Sequence, residues 1–188
     1  GIPAGATIEK AYVWWMVENV PTGNNTGTVT LQNPSAVTNT FSGTLIGTDP
    51  TGICWGGGSD GTRSFRADVT ALITSPFNGT YMLSGLPIGA VQPNPDADGA
   101  TLMIIYSDAS ANFEGTLIID DGLQINTGAP ATPLTHQLTG FTASGTIGPA
   151  RAFVQLADFQ NSAPSSTISF NGGSPATFVQ NFWDYEQV

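Results

Sequence analysis

Short apolar and β-branched runs fill this chain, and each of them ends at Gly, Pro, Asn or Asp. No stretch keeps an amphipathic helical period for long. Short runs bounded by turn residues are typical of β-strands. The pattern predicts strands at Thr7–Val17, Gly27–Leu31, Thr40–Gly47, Arg63–Asp68, Thr80–Leu83, Ala100–Ser107, Phe113–Gln124, Leu134–Phe141, Ala150–Ala157, Ser166–Phe170 and Thr177–Phe182.

About ten strands without crossover helices favour antiparallel pairing, and two sheets packed face to face are the commonest arrangement of that kind. We therefore expect an all-β fold, an antiparallel two-sheet β-sandwich. All-β sandwiches often reach 188 residues undivided, so we expect a single domain, 1-188. One helical turn is predicted at Asp68–Thr74, with Asp68 capping the backbone of Ala71 and Leu72.

Two predicted strands lack a polar face. Thr101–Tyr106 is apolar on both faces, which is typical of a central strand. Ala11–Val17 also needs cover on both faces, either from its own domain, which we favour, or from a neighbouring subunit. Adjacent strand residues point to opposite faces, so one of Trp14 and Trp15 should enter the core while the other faces away from it.

The chain has a formal net charge of −10, from four basic and fourteen acidic residues. This charge repels phosphate backbones and anionic lipid headgroups, so nucleic acid and membrane surfaces are poor partners, whereas cations are attracted. Only 10% of the residues are charged, so the surface consists largely of neutral polar side chains. Such a surface favours association with copies of the same chain.

Several features are typical of a secreted protein. The chain contains no apolar run long enough to span a membrane, and it opens on Gly1-Ile2-Pro3, as a processed chain would. Its single cysteine, Cys54, excludes an intrachain disulfide. Asn24 and Asn78 begin sequons and would be glycosylation acceptors outside the cell. We expect an extracellular or cell-surface location.

Six segments, taken in order, carry a resemblance. They are Ala6–Trp15 (ATIEKAYVWW), Phe65–Thr70 (FRADVT), Gly79–Leu86 (GTYMLSGL), Gly99–Tyr106 (GATLMIIY), Ile119–Leu123 (IDDGL) and Asn181–Asp184 (NFWD). The series resembles a jelly-roll domain of uncharacterised function that recurs in secreted and cell-surface proteins of archaea and bacteria, often in adhesin-like chains. The resemblance implies a jelly-roll β-sandwich used in surface display or assembly, and it brings no catalytic residues with it.

Clustered carboxylates indicate a site for Ca²⁺, which prefers six to eight oxygen ligands. The candidate ligands are Asn94, Asp96, Asp98, Asp120, Asp121 and Asp184. The first three alternate before Gly99 but lack the downstream Glu of an EF-hand loop, so a site here would need carbonyls or a second subunit to complete it. The alternative is that they form ordinary polar turns.

No enzyme activity is expected. Asp120 and Asp121 are adjacent, so in an extended segment they point apart and cannot form one acid–base pair. Any Ser/His/Asp chemistry would have to use the only histidine, His136, and the chain has no Gly-x-Ser-x-Gly motif. Trp55, beside a run of glycines, is the candidate for stacking on a sugar ring.

These observations predict a structural subunit of an extracellular filament, tube or surface coat that associates with copies of itself. Terminal segments 1-6 and 177-188 are candidates for strand donation to a neighbour. Ca²⁺ at subunit contacts is a further hypothesis. The alternative function is a cell-surface adhesin or carbohydrate-binding module that uses Trp55 to bind a glycan.

Overall fold

In a computed structural model, residues 1–18, 27–49, 61–87, 97, 99–110, 115–124, 134–140, 167–174 and 176–177 are described. The chain divides into two compact units, Gly1–Ile125 and Asn126–Val188. The predicted strand at Ala150–Ala157 lies outside the described residues.

The regular structure of the described residues is almost entirely β. The strands are β1 (Thr7–Val17), β2 (Thr28–Gln32), β3 (Thr38–Ser42), β4 (Thr44–Asp49), β5 (Thr62–Asp68), β6 (Met82–Ser84), β7 (Ala100–Ser107), β8 (Thr167–Ile168) and β9 (Ala176–Thr177). The first unit holds a four-stranded sheet, β4-β5-β1-β7, and a three-stranded sheet, β3-β2-β6. In the second unit, β8 pairs with β9. All of these pairings are antiparallel, as predicted.

One hydrophobic core joins the two sheets. Trp15 of β1 stacks on Phe65 of β5, with ring centroids 5.5 Å apart. Leu31 of β2, from the other sheet, is buried in the same cluster. Two antiparallel sheets that share one core are consistent with the β-sandwich predicted from the series of strands.

Gly43 marks the point where the chain passes from one sheet to the other. The sequence predicts one strand over Thr40–Gly47, but the structure divides it into β3 and β4, which belong to different sheets. A Cβ atom on Gly43 would overlap the six-membered ring of the Trp15 indole. Only glycine lets the backbone pass this close to the buried indole. The prediction of one continuous strand is wrong, because the chain changes sheets at this residue.

Three other predictions differ from the structure. Residues 115–124 and 134–140 form no strand, although the sequence predicts strands over Phe113–Gln124 and Leu134–Phe141. The first of these segments is held by side-chain contacts instead of a backbone ladder, and the second is exposed throughout. Within the described residues, β7 lies at the edge of its sheet and not at the centre expected for Thr101–Tyr106.

A short 3-10 helix, Thr70–Leu72, occupies the predicted helical turn. The predicted cap is wrong, because the N–H of Leu72 already donates to the Val69 carbonyl at 2.9 Å. Asp68 Oδ1 instead accepts the backbone N–H of Thr70 at 3.0 Å. The Thr70 hydroxyl accepts the N–H of Ala11 at 2.9 Å, which ties this turn to β1.

Asn33 joins the turn after β2 to the chain beyond the 3-10 helix. Its side chain is 2% exposed. The amide nitrogen donates to the Leu72 carbonyl at 3.0 Å and to Thr74 Oγ1 at 3.1 Å. The amide oxygen accepts the N–H groups of Ser35 and Val37, each at 3.0 Å. A buried amide with this many partners fixes the relative positions of two loops.

We predict that Asn33→Ala lowers the free energy of unfolding by about 2–4 kcal/mol, because it leaves several backbone groups without partners. Chemical denaturation of the variant measures this loss. Asn39→Ala, at an exposed position in β3, is the control and should change the free energy by less than about 0.5 kcal/mol. Equal losses in the two variants would contradict the proposed role of Asn33.

Candidate functional site

The four-stranded sheet has a second face, opposite the shared core. Side chains alternate along a strand, so Tyr12, Trp14 and Met16 point away from the core that contains Val13 and Trp15. Their register partners in β5 are Asp68, Arg66 and Ser64. We call the surface formed by these six residues the outer face.

The outer face is covered by the chain itself at Trp14. Although Trp14 points away from the core, its exposure is only 6%. Asp121 Oδ2 accepts the indole N–H of Trp14 at 2.9 Å. Trp14 and Trp15 are therefore divided between the two faces as predicted, and the cover over Trp14 comes from its own domain.

Residues 115–124, which we call the strap, contribute Asp121 to this cover. Asp121 and Leu123 are half-buried, whereas the intervening Gly122 is exposed, so the strap is extended and turns alternate residues towards the sheet. Leu123 lies so close to Gly47 of β4 that a Cβ atom on Gly47 would be 2.5 Å from the Leu123 Cβ. The missing side chain of Gly47 makes room for the strap.

An ion pair and two aromatic rings form the centre of the contact. Arg66 Nη1 donates to Asp121 Oδ2 at 2.8 Å, and both side chains are partly buried. The guanidinium carbon of Arg66 lies 5.2 Å from the centroid of the Tyr12 ring. The Tyr12 and Trp14 ring centroids are 5.5 Å apart. One cation thus contacts a carboxylate and an aromatic ring, which gives the strap a defined position.

The sequence did not predict this ion pair, although the two adjacent Asp residues are a pattern that could have indicated it. Adjacent Asp residues in an extended segment point to opposite sides. The structure follows this rule, since Asp120 is exposed and Asp121 is half-buried against the sheet. Which of the two carboxylates faces Arg66 depends on the register of the strap, and no local pattern specifies that register.

The predicted ligands are only partly described. Asp120 and Asp121 lie in the strap, and Asp121 is bound to Arg66 and Trp14. Outside the described residues are Asn94, Asp96, Asp98, Asp184, Trp55 and Asn24. Among the residues that are described, no three His, Cys, Asp or Glu side chains form a group suited to a metal ion. The calcium and glycan sites therefore stay predictions.

Asn78, the second predicted glycosylation acceptor, contacts the N-terminal segment. Its Oδ1 accepts the N–H of Ile2 at 2.7 Å, and its Nδ2 donates to the Ile2 carbonyl at 2.6 Å. The side chain thus pairs with the backbone of Ile2 as a neighbouring strand would. A glycan would be attached to the same nitrogen that donates to Ile2, so it would replace one of the two amide hydrogens.

Asp68, one of the residues of the outer face, has a pKa below its usual value. Hydrogen bonds from the Thr70 hydroxyl and backbone N–H, followed by the nearby Lys10 ammonium at 3.0 Å, lower the pKa of Asp68 from 3.8 to about 2. The same contact raises the pKa of Lys10. Three donors converge on this carboxylate, and they stabilise its ionised form relative to its protonated form.

In the part of the chain that the structure describes, no helix is long and apolar enough to cross a membrane. Neither family models, nor curated proteins, nor solved structures give a match to this chain. The function proposed below therefore rests on the sequence and on the geometry of the first unit.

We predict that Asp121→Asn weakens the strap by removing the charge that faces Arg66. The free energy of unfolding should fall by about 1 kcal/mol, because a partly buried ion pair is lost while the shape of the side chain is kept. Backbone amides of residues 115–124 should exchange with solvent faster, as measured by hydrogen–deuterium exchange. Glu9→Gln, at an exposed position of β1 outside the strap, removes an equal charge and should leave the exchange of residues 115–124 unchanged. Similar exchange in both variants would contradict the contact.

We also predict a pH dependence from Asp68. Its folded pKa lies below the value of 3.8, so its contribution to stability is present above about pH 4 and is lost as the pH falls towards 2. Asp68→Asn should flatten this part of the stability curve and cost about 1 kcal/mol at neutral pH, a value reduced for the exposure of the side chain. Lys10→Gln should keep most of the pH dependence, because the Thr70 donors contribute more. Denaturation between pH 2 and 7 measures both variants, and an unchanged curve for Asp68→Asn would contradict the prediction.

Proposed function

We propose that this protein is a secreted structural subunit with a jelly-roll β-sandwich, which assembles with copies of itself into an extracellular filament, tube or surface coat. The joining interaction is strand addition, in which a terminal segment of one subunit pairs with an edge strand of the next. The observation that carries this proposal is the composition and position of β7.

Strand β7 has the properties of an acceptor edge. It pairs with β1 on one side, and no other described strand pairs with it. Its residues, Ala100–Ser107, include neither a charged side chain nor a proline. Edge strands of monomeric proteins are commonly protected by Lys, Pro, bulges or short length. Eight residues without these features form a suitable template for an added strand.

The opposite edge of the same sheet is less suitable. Strand β4 itself carries the extra residue of an irregular pairing, between Leu45 and Gly47, whereas the irregularity in the pairing of β7 lies in β1, between Ile8 and Lys10. A bulge twists a strand and interrupts the regular row of donors and acceptors. This difference supports β7 as the acceptor. The proposed assembly then has a direction, because donor and acceptor are different parts of the subunit.

Both terminal segments remain candidate donors. Residues 1–6 are held through Ile2 by two exposed hydrogen bonds with Asn78, one donated by each residue. Exposed hydrogen bonds exchange readily with water, so the release of this segment costs little. Of residues 177–188, only Thr177 is described. The apolar run that begins there provides side chains that could fill the core side of an added strand.

The composition supports assembly outside the cell. Only 10% of the residues are charged, so much of the surface is neutral and repels other copies of the chain little. Ca²⁺ would neutralise carboxylates where subunits meet and would favour polymers. The alternative function, a glycan-binding adhesin, depends on Trp55, which lies outside the described residues, and no described contact favours it.

We predict that the chain polymerises with increasing concentration, and that Met103→Lys in the middle of β7 raises the concentration required by about tenfold or more. A lysine at this half-buried position keeps its aliphatic stem on the sheet but places a charge at the acceptor edge. Light scattering and electron microscopy measure the polymers. Deletion of residues 1–6 or of 177–188 identifies the donor by the loss of polymers.

Thr40→Lys is the matched control for this experiment. It places the same charge in the middle of β3, an edge strand of the other sheet, where the residue is exposed. This variant should polymerise as the unaltered chain does. A chain that stays monomeric at all concentrations, with and without Ca²⁺, or equal effects of the two lysines, would refute strand addition at β7.

A further inference from the structure

The side chain of Asn78 binds the backbone of Ile2 through two hydrogen bonds of opposite direction. The N–H of Ile2 donates to Asn78 Oδ1 at 2.7 Å, and Asn78 Nδ2 donates to the Ile2 carbonyl at 2.6 Å. Gly1 lies against the same amide, since a Cβ atom on it would be 2.7 Å from Asn78 Oδ1. We call the two hydrogen bonds the amide clip, because together they attach the N-terminal segment to the loop before β6.

The amide clip requires both the oxygen and the nitrogen of an amide. An amide side chain has an acceptor oxygen and a donor nitrogen, whereas an ionised carboxylate has two acceptor oxygens and no donor. A carboxylate at position 78 could still accept the Ile2 N–H with one oxygen. Its other oxygen would face the Ile2 carbonyl oxygen, where Nδ2 now donates. Two negatively polarised oxygens at that distance repel each other, so conversion of the amide to an acid would open the clip.

The fold places a glycine directly after Asn78. Gly79 has a φ of +147°, and a Cβ atom on it would be 2.8 Å from the Cβ of Pro34. A side chain at this position would therefore be strained and would overlap Pro34. Because glycine has no side chain, nothing on Gly79 itself shields its backbone nitrogen from the amide carbon of Asn78. Both residues are exposed, so water also reaches them.

This pair of residues can hydrolyse its own amide in two steps. In the first, the Gly79 nitrogen attacks Asn78 Cγ, and the new C–N bond closes a succinimide ring. The bond from Cγ to Nδ2 breaks, and that nitrogen leaves as ammonia with the proton lost by Gly79. In the second, water adds to one of the ring carbonyls and opens the ring, which leaves aspartate or isoaspartate at position 78. Unlike glycosylation, which keeps the Cγ–Nδ2 bond, this reaction needs no reactant besides water.

We propose that Asn78 is a deamidation site whose hydrolysis permanently releases residues 1–6. Attack on Cγ turns the planar carbon tetrahedral and moves both polar atoms of the amide, so the reaction proceeds from the open clip. The closed clip protects the amide. Each opening exposes the amide to hydrolysis, and the acid that results cannot close the clip again. A reversible contact is thus converted into an irreversible release.

The consequence for assembly rests on the function proposed above. Residues 1–6 are one of the two candidate donor segments, so their release supplies a free strand for the β7 edge of another subunit. The hydrolysis and the release both occur within one subunit. They can therefore be measured on a monomer, separately from the formation of polymers.

Peptide mass spectrometry tests the reaction on the chain kept at mildly alkaline pH, below the concentration at which scattering detects polymers. We expect acid to accumulate at position 78, and to do so faster as the pH rises, because the attacking nitrogen must lose a proton. Asn171-Gly172, the same pair at an exposed position between β8 and β9, is an internal reference. The hydrogen bonds of Ile2 are made with Asn78, so a change at Ile2 alters the clip and not the reference.

Ile2→Pro tests the protection that the clip gives. Proline has no N–H, so one of the two hydrogen bonds is lost. The open clip is then more populated, and hydrolysis at Asn78 should become about three to ten times faster relative to Asn171, as expected for one exposed hydrogen bond. Ile2→Val keeps the N–H and should leave this ratio unchanged.

Nuclear magnetic relaxation tests the release. In Asn78→Asp, the backbone order parameters of Ile2, Ala4 and Gly5 should fall to about 0.6 or lower, the range of flexible segments. Asn171→Asp adds the same charge at an exposed position and should leave them as in the unaltered chain. Asn78→Ala removes both hydrogen bonds without adding charge, so it gives the order parameters of an open clip.

Any of three results would overturn the proposal. They are an unaltered chain that accumulates no acid at position 78, an Ile2→Pro variant in which the rates at Asn78 and Asn171 keep their original ratio, and an Asn78→Asp variant that keeps the order parameters of the unaltered chain while Asn78→Ala loses them. Failure of the proposed assembly is distinguishable, because the hydrolysed chain would then release its N-terminal segment and still form no polymers.

Discussion

Strand β1 presents large apolar or aromatic side chains on both faces, and the first unit is organised by the burial of both. On one face, Trp15 stacks on Phe65 inside the core that the two sheets share. On the other, Trp14 lies beneath the strap and donates its indole N–H to Asp121. Removal of this much aromatic surface from water is a large favourable contribution, and the polar end of Trp14 requires a partner when it is buried.

The packing and hydrogen bonding of these two indoles involve residues that are distant in the sequence. Trp15 fills the space beside Gly43, where the chain leaves one sheet and enters the other. Trp14 requires an acceptor, and Asp121 supplies it from the strap, 107 residues along the chain. Gly43 and Gly47 serve related purposes, because each lacks a side chain where the backbone or strap approaches closely.

The chain has only four basic residues, so each one carries a large part of its positive charge. Of the four in the chain, Arg66 positions the strap and Lys10 contacts Asp68. With fourteen acidic residues, most carboxylates must be balanced by hydrogen bonds, water or ions. Our proposals of calcium binding and of self-association both follow from this imbalance, since a surface with few cations needs either bound metal or neutral contacts.

The sequence by itself determined the local features. Alternation and turn residues located β1 and β7 to the residue and separated Trp14 from Trp15 onto opposite faces, because a strand has a fixed period of two. Tertiary structure decided which segments meet. The break at Gly43 and the pairing of Arg66 with Asp121 depend on register between distant strands or on the position of the strap. These contacts depend on how distant segments pack together, and no short-range pattern encodes that packing.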